Sequence, residues 1–212
     1  LKGFTSSPVG SWATGGAMNT ARRYPGGAGT QTAALGFGGL ISPPGDTLFD
    51  NTEQYNGTSW TEVNNLNTSR YQGGNAGTSY DAVLLSGGYA TARTGNVESW
   101  NGTSWTEVAD LNVAKYGGMS SGTNTSATVA GGNSPPNAYQ ATNESWNGSS
   151  WTEVGDLNTA RANGPGGGSG TSNTSALVFG GRTSATPDET AVTELWNGSS
   201  WTELNDLNSA RF

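Results

Sequence analysis

Glu53-Gln54-Tyr55-Asn56-Gly57-Thr58-Ser59-Trp60-Thr61-Glu62-Val63 reads as a hairpin. Thr52 to Tyr55 and Trp60 to Val63 are β-compatible, and Asn56-Gly57 between them is a dipeptide that tolerates positive φ. The phrase returns with Glu98, Trp100, Asn101-Gly102 and Trp105, with Glu144, Trp146, Asn147-Gly148 and Trp151, and with Glu194, Trp196, Asn197-Gly198 and Trp201. A fifth, weaker copy holds Trp12 and has Thr5 where the Glu should stand. The period is roughly 45–50 residues, the length of a four-stranded propeller unit.

Other residues keep step with the hairpin. Leu66, Leu111, Leu157 and Leu207 follow the second aromatic, with Met18 in the weak copy. Each is followed by an Asn (Asn19, Asn67, Asn112, Asn158, Asn208) and then a cation (Arg22, Arg70, Lys115, Arg161, Arg211). Between copies run short apolar stretches such as Ala33 to Phe37, each closed by a Gly pair: Gly38-Gly39, Gly87-Gly88, Gly131-Gly132, Gly180-Gly181. The small-residue stretch Gly73 to Ser79 is expected to be the innermost strand of the following unit, where a central channel is crowded. No segment has helical periodicity.

The reading is all-β: a propeller of four four-stranded blades plus an extra N-terminal strand. A partial repeat covers 1–25, and the propeller covers 26–212, with blades near 26–64, 72–109, 117–155 and 163–205. The extra strand, Ser11 to Thr14, has no blade of its own, and residues 1–16 are expected to pack on the ring's edge or to pair with a neighbouring subunit. The chain begins with Leu, and the expectation is a processed protein or one segment of a longer one.

An apolar run, a Gly pair, two aromatics about a tight turn and then a cation resembles the kelch motif. The likeness spans nearly the whole chain and is to the kelch-like, galactose-oxidase-central-domain-like β-propeller. The Ser/Thr/Gly/Asn-rich wording is similar to repeat proteins of environmental bacteriophages. That resemblance implies a virion or extracellular protein.

Composition narrows the chemistry. The net charge is −7, the wrong sign for phosphate backbones or anionic membrane surfaces. The apolar runs are short, Ala82 to Leu85 among the best, and membrane insertion is not expected. There is no Cys and no His, so Ser-His-Asp and Cys-His catalysis are excluded, and zinc, copper or haem would lack their usual ligands. No cofactor and no metal are expected. Gly26 to Gly29 lacks the Lys and helix of a phosphate loop and reads as inner strand.

Most charged and aromatic residues belong to the repeat. Every Glu but Glu189 falls on one of two repeat positions. A catalytic acid–base pair needs two different environments, whereas repeat positions have similar ones. Glu53 with Arg70, Glu98 with Lys115, Glu144 with Arg161 and Glu194 with Arg211 keep one spacing and read as a structural ion pair within each blade. The paired aromatics read as blade packing rather than a sugar platform. Asn56, Asn101, Asn147 and Asn197 open Asn-Gly-Thr or Asn-Gly-Ser sequons, possible glycosylation sites, although hairpin chemistry alone accounts for them.

What remains is the variable links 40–52, 89–97, 133–143 and 182–193, which hold Pro43-Pro44, Pro135-Pro136 and Pro187 as well as polar and aromatic side chains. Function on repeat folds concentrates in such loops. The expected ligand-binding face therefore comprises Asp46, Phe49, Tyr89, Arg93, Tyr139, Arg182 and Asp188. The expected function is a non-enzymatic structural and recognition module: a virion fibre, spike or decoration component that binds a host-surface glycan or protein and associates with itself or other fibre proteins. A secreted bacterial propeller forming extracellular fibrils is the alternative. A glycan-active enzyme is disfavoured, because copper chemistry of the galactose-oxidase type needs histidines and sialidase-like chemistry needs an arginine cluster. Neighbouring tail or secretion genes would separate the first two readings.

Overall fold

The computed structural model describes residues 15–42, 45–162, 168–184 and 188–211. Among the described residues it is all-β, without helices. Four antiparallel four-stranded sheets follow one another along the chain. Blade 1 holds β1 (Gly26–Thr30), β2 (Ala33–Phe37), β5 (Thr52–Tyr55) and β6 (Trp60–Val63). Blade 2 holds β7 (Gly74–Ser79), β8 (Ala82–Ser86), β9 (Val97–Trp100) and β10 (Trp105–Val108). Blade 3 holds β11 (Met119–Thr123), β12 (Ser126–Ala130), β15 (Asn143–Trp146) and β16 (Trp151–Val154). Blade 4 holds β17 (Gly168–Ser172), β18 (Ser175–Phe179), β19 (Thr193–Trp196) and β20 (Trp201–Glu203). Two ribbons, β3 (Leu40–Ile41) with β4 (Thr47–Leu48) and β13 (Asn133–Ser134) with β14 (Ala138–Tyr139), lie in the variable links. The expected extra strand at Ser11 to Thr14, and Pro43, Pro44 and Pro187, lie outside the described residues.

The hairpins fold as their sequence dictates. Tyr55 faces Trp60, Trp100 faces Trp105, Trp146 faces Trp151 and Trp196 faces Trp201, with ring centroids 5.1, 5.4, 5.2 and 5.3 Å apart. In the turn Asn147 Oδ1 accepts from the backbone N–H of Ser149 and Ser150, and Gly148 takes φ +96°. Asn56, Asn101 and Asn197 do the same, and all four side chains are exposed on the same type of turn.

Each strand alternates between two faces, and the core lies between blades. Leu35 and Phe37 on the trailing face of blade 1 pack on Val83, Leu85, Trp100 and Trp105 on the leading face of blade 2. Leu84, Val97 and Leu111 meet Ala127, Val129, Trp146 and Trp151 of blade 3 in the same way. Met119, Ala130 and Leu157 meet Ala176, Val178, Trp196 and Trp201 of blade 4. The inner strands touch in sequence, β1 on β7, β7 on β11 and β11 on β17; the last, β17, does not pack on β1 to that extent.

The segment after each outermost strand ties one blade to the next. Its backbone stays with its own blade: the Gly39, Gly88, Gly132 and Gly181 amides donate to the carbonyls of Arg70, Lys115, Arg161 and Arg211. Gly131, beside the third of these contacts, sits at φ +66°, and a Cβ there would lie 2.3 Å from the Arg161 carbonyl oxygen. Only glycine fits that approach.

The side chains go forward. Arg22 pairs with Glu53, Arg70 with Glu98 at 2.7 Å, Lys115 with Glu144 at 3.2 Å and Arg161 with Glu194 at 2.9 Å. This corrects the pairing expected within each unit. The Glu sits on the leading face of its blade, which the incoming connector crosses, so it meets the preceding unit's cation. Arg211, expected to pair with Glu194, has no carboxylate partner among the described residues, and its guanidinium donates to the Ser209 carbonyl. The Asn of each connector completes the clasp: Asn112 donates to Glu144 through its backbone N–H at 2.7 Å and its amide at 2.9 Å. Asn19, Asn67 and Asn158 do likewise on Glu53, Glu98 and Glu194. Burial pulls the Arg70, Lys115 and Arg161 side chains below their ordinary pKa, and the facing Glu works against that pull.

Candidate ligand-binding face

The first residue after each clasp cation forms a bridge to the variable link of the blade ahead: Arg23 to Leu40, Tyr71 to Tyr89, Tyr116 to Asn133 and Ala162 to Arg182. The clasp thus fixes two kinds of residue side by side, one just after the repeat cation and one in the loop. At blades 1 to 3 the result is a ladder of phenol rings. Tyr24 lies 6.1 Å from Tyr71, Tyr71 5.6 Å from Tyr89, and Tyr89 5.9 Å from Tyr116.

Arginines flank the ladder. Arg23 lies 5.4 Å over Tyr24 and Arg93 5.2 Å over Tyr116. Arg93 also donates to Asn133 Oδ1 at 2.7 Å and to Asn137 Oδ1 at 2.7 Å. Asp46 reaches Arg23 at 3.7 Å with both side chains half exposed. Burial, then Tyr89 and Asp46, push the Tyr71 phenol above its ordinary pKa. Tyr24 is held at φ +55°, a backbone conformation that side chains rarely adopt, and so is Gln72, the equivalent residue one blade on, at φ +52°. Tyr24 stays 40% exposed there.

Of the residues expected on this face, the structure gathers Asp46, Tyr89 and Arg93 into the tyrosine cluster. Arg182 and Asp188 pair with each other at 3.4 Å in the blade 4 link. Phe49 has another job, since Arg22 of the clasp stacks 5.5 Å from its ring. Tyr139 is half-buried on the ribbon β14 and makes none of the ring contacts of the ladder. Tyr24, Tyr71 and Tyr116 were missed by sequence reasoning. Tyr71 and Tyr116 stand next to repeat cations, at a position whose identity changes from copy to copy: Arg23, Tyr71, Tyr116, Ala162. Variability inside the repeat frame was the available signal.

The arrangement offers stacking surface, phenol donors and a guanidinium fixed by the buried Asn133 and the exposed Asn137. Among the described residues no three His, Cys, Asp or Glu side chains come together as a metal site. None of the helices required for a bilayer-crossing helical span is present among the described residues.

No family model matches the sequence, and no curated protein matches it. Solved structures do match in fold. One described as "Structure of YjhT" superposes with a TM-score of 0.64 at 16% identity, over 82% of this chain and 66% of that one. At that identity the likeness concerns the fold, a propeller-like array of four-stranded antiparallel sheets.

Proposed function

We propose that this chain is a kelch-like, non-enzymatic recognition propeller, carried outside the cell on a virion as a fibre, spike or decoration component, and that it binds a host-surface glycan on the tyrosine face. The observation that carries the reading is the ladder Tyr24–Tyr71–Tyr89–Tyr116 with Arg93 held by Asn133 and Asn137. Partly exposed rings give a sugar its apolar contact, and a fixed guanidinium and amides give it directional hydrogen bonds. The acidic, Cys-free, His-free composition supports a recognition role over catalysis. A secreted propeller that assembles into extracellular fibrils is the second reading, favoured by the apolar trailing face of blade 4.

A glycan array probed with the full chain tests the ligand class. The triple variant Tyr71→Ala, Tyr89→Ala and Tyr116→Ala is expected to lose roughly 10- to 100-fold in affinity for any glycan bound. The double variant Phe49→Ala and Tyr139→Ala should bind like the parent. Full retention of binding by the triple variant, with an unchanged tryptophan near-UV spectrum, would remove the tyrosine face from consideration.

A further inference from the structure

The two end faces of the array differ from the internal ones in a way that makes them complementary. Leu35, Phe37 and Leu84, on the trailing faces of blades 1 and 2, are buried, at 1% or less. Their equivalents on blade 4, Leu177 and Phe179, are only half-buried. Leu195 is 38% exposed and Leu204 44% exposed, and no described blade covers them. Leu195 is also apolar where the other blades carry Gln54, Ser99 and Ser145. The C-terminal connector is already in place, since the Gly181 amide donates to the Arg211 carbonyl at 2.8 Å. Its forward clasp holds no carboxylate among the described residues.

The opposite end has the least bulky leading side chains and a clasp carboxylate. Where blades 2 to 4 present Val83 and Leu85, Ala127 and Val129, or Ala176 and Val178, blade 1 presents Ala34 and Gly36. Leu177 and Phe179 repeat the Leu-Phe pair of blade 1, Leu35 and Phe37, which is covered by the next blade. Glu53 is the carboxylate that a connector would seek there. It is held by Asn19 and Arg22, and Gly16 accepts from Trp60 Nε1 at 3.1 Å. The segment 15–24 therefore sits where a preceding blade's connector belongs.

We propose that the trailing face of blade 4 docks on the leading face of blade 1 in a second copy of this chain, with Asn208 and Arg211 taking Glu53 in place of that copy's Asn19 and Arg22. Three internal interfaces of this chain supply the template for the contact. The contact is head-to-tail, so it grows into a ring or a filament according to its rotation. Segment 15–24 restrains growth, because it must leave Glu53 before the next copy engages.

Equivalent substitutions at the two ends should act in opposite directions. Sedimentation velocity on the full chain across a concentration series is the measurement. Asn208→Ala with Arg211→Ala is expected to raise the association midpoint about tenfold or more, and Asn19→Ala with Arg22→Ala to lower it by a similar factor. Leu195→Asp with Leu204→Asp, at exposed positions, should abolish association while the thermal midpoint holds. Simple destabilisation would move the first two variants the same way, and that result would overturn the proposal. So would a particle of monomer size for the parent and every variant, which would assign the blade 4 face to closure within the chain or to a different partner.

Discussion

Glu144→Ala should cost this protein about 3–5 kcal/mol, as expected when one member of a buried ion pair is removed. Glu144 is fully buried and accepts from the Asn112 backbone and amide and from the Val113 N–H, and it faces the equally buried Lys115. Its loss takes the acceptor from an ammonium and from three backbone or amide donors between blades 2 and 3. For a chain of this size the thermal midpoint should fall by roughly 6–20 °C. Glu153, directly across the strand pair but exposed, is the control, and Glu153→Ala should stay within about 0.5 kcal/mol of the parent. The defect carries a pH signature. Burial already holds Lys115 below its ordinary pKa, and removing Glu144 lowers it further. The unfolded chain then binds more protons than the folded one between the folded and unfolded lysine values. The parent's lysine is lowered too, so the defect is complete below the variant's folded pKa and shrinks as pH rises from there to the parent's folded pKa. Equal thermal midpoints for the Glu144 and Glu153 variants would contradict the argument.

Trp146→Ala should be nearly as damaging, at about 3–5 kcal/mol, the range for emptying a buried aromatic site. Trp146 is 2% exposed, packs on Trp151 in the core between blades 2 and 3, and donates from Nε1 to the Asn124 carbonyl at 3.0 Å. Tyr55 is its equivalent in blade 1, where no described blade lies in front and the ring is only half-buried. Tyr55→Ala should therefore cost about half as much or less, because less area is lost to water exposure. Urea unfolding of the two variants gives the comparison. The reverse order would mean that the leading face of blade 1 is covered more fully than its burial shows.

The reading of the sequence went furthest where one local cause suffices. Asn-Gly between two aromatics specifies a hairpin whatever surrounds it, and four copies in step specify four similar sheets. The small residues of Gly74–Ser79 marked the innermost strand because bulk is excluded there. The partner of each Glu was not legible in the same way. Spacing within the repeat is identical whether Glu98 meets Arg70 behind it or Lys115 ahead of it, and only the face on which Glu98 lies decides between them. The tyrosine face failed for a related reason. Tyr71 and Tyr116 belong to the repeat frame by position but to the surface by chemistry, and setting aside the repeat frame set them aside too. Tyr89 and Arg93 were found because they stand in a link of variable length. Arg22 could not have been matched to Phe49 from sequence, since the contact depends on how the connector crosses the blade.

The central claim is that each connector clasps the blade ahead of it. A double-mutant cycle on Lys115 tests it most directly, with stability read from urea unfolding of the single and double alanine variants. Lys115 and Glu144, 3.2 Å apart across the boundary between blades 2 and 3, should couple by at least about 1 kcal/mol. Lys115 and Glu98, which belong to one repeat but do not touch, should be additive within about 0.5 kcal/mol. Strong coupling of Lys115 to Glu98 with none to Glu144 would place the ion pair inside each blade and contradict the account.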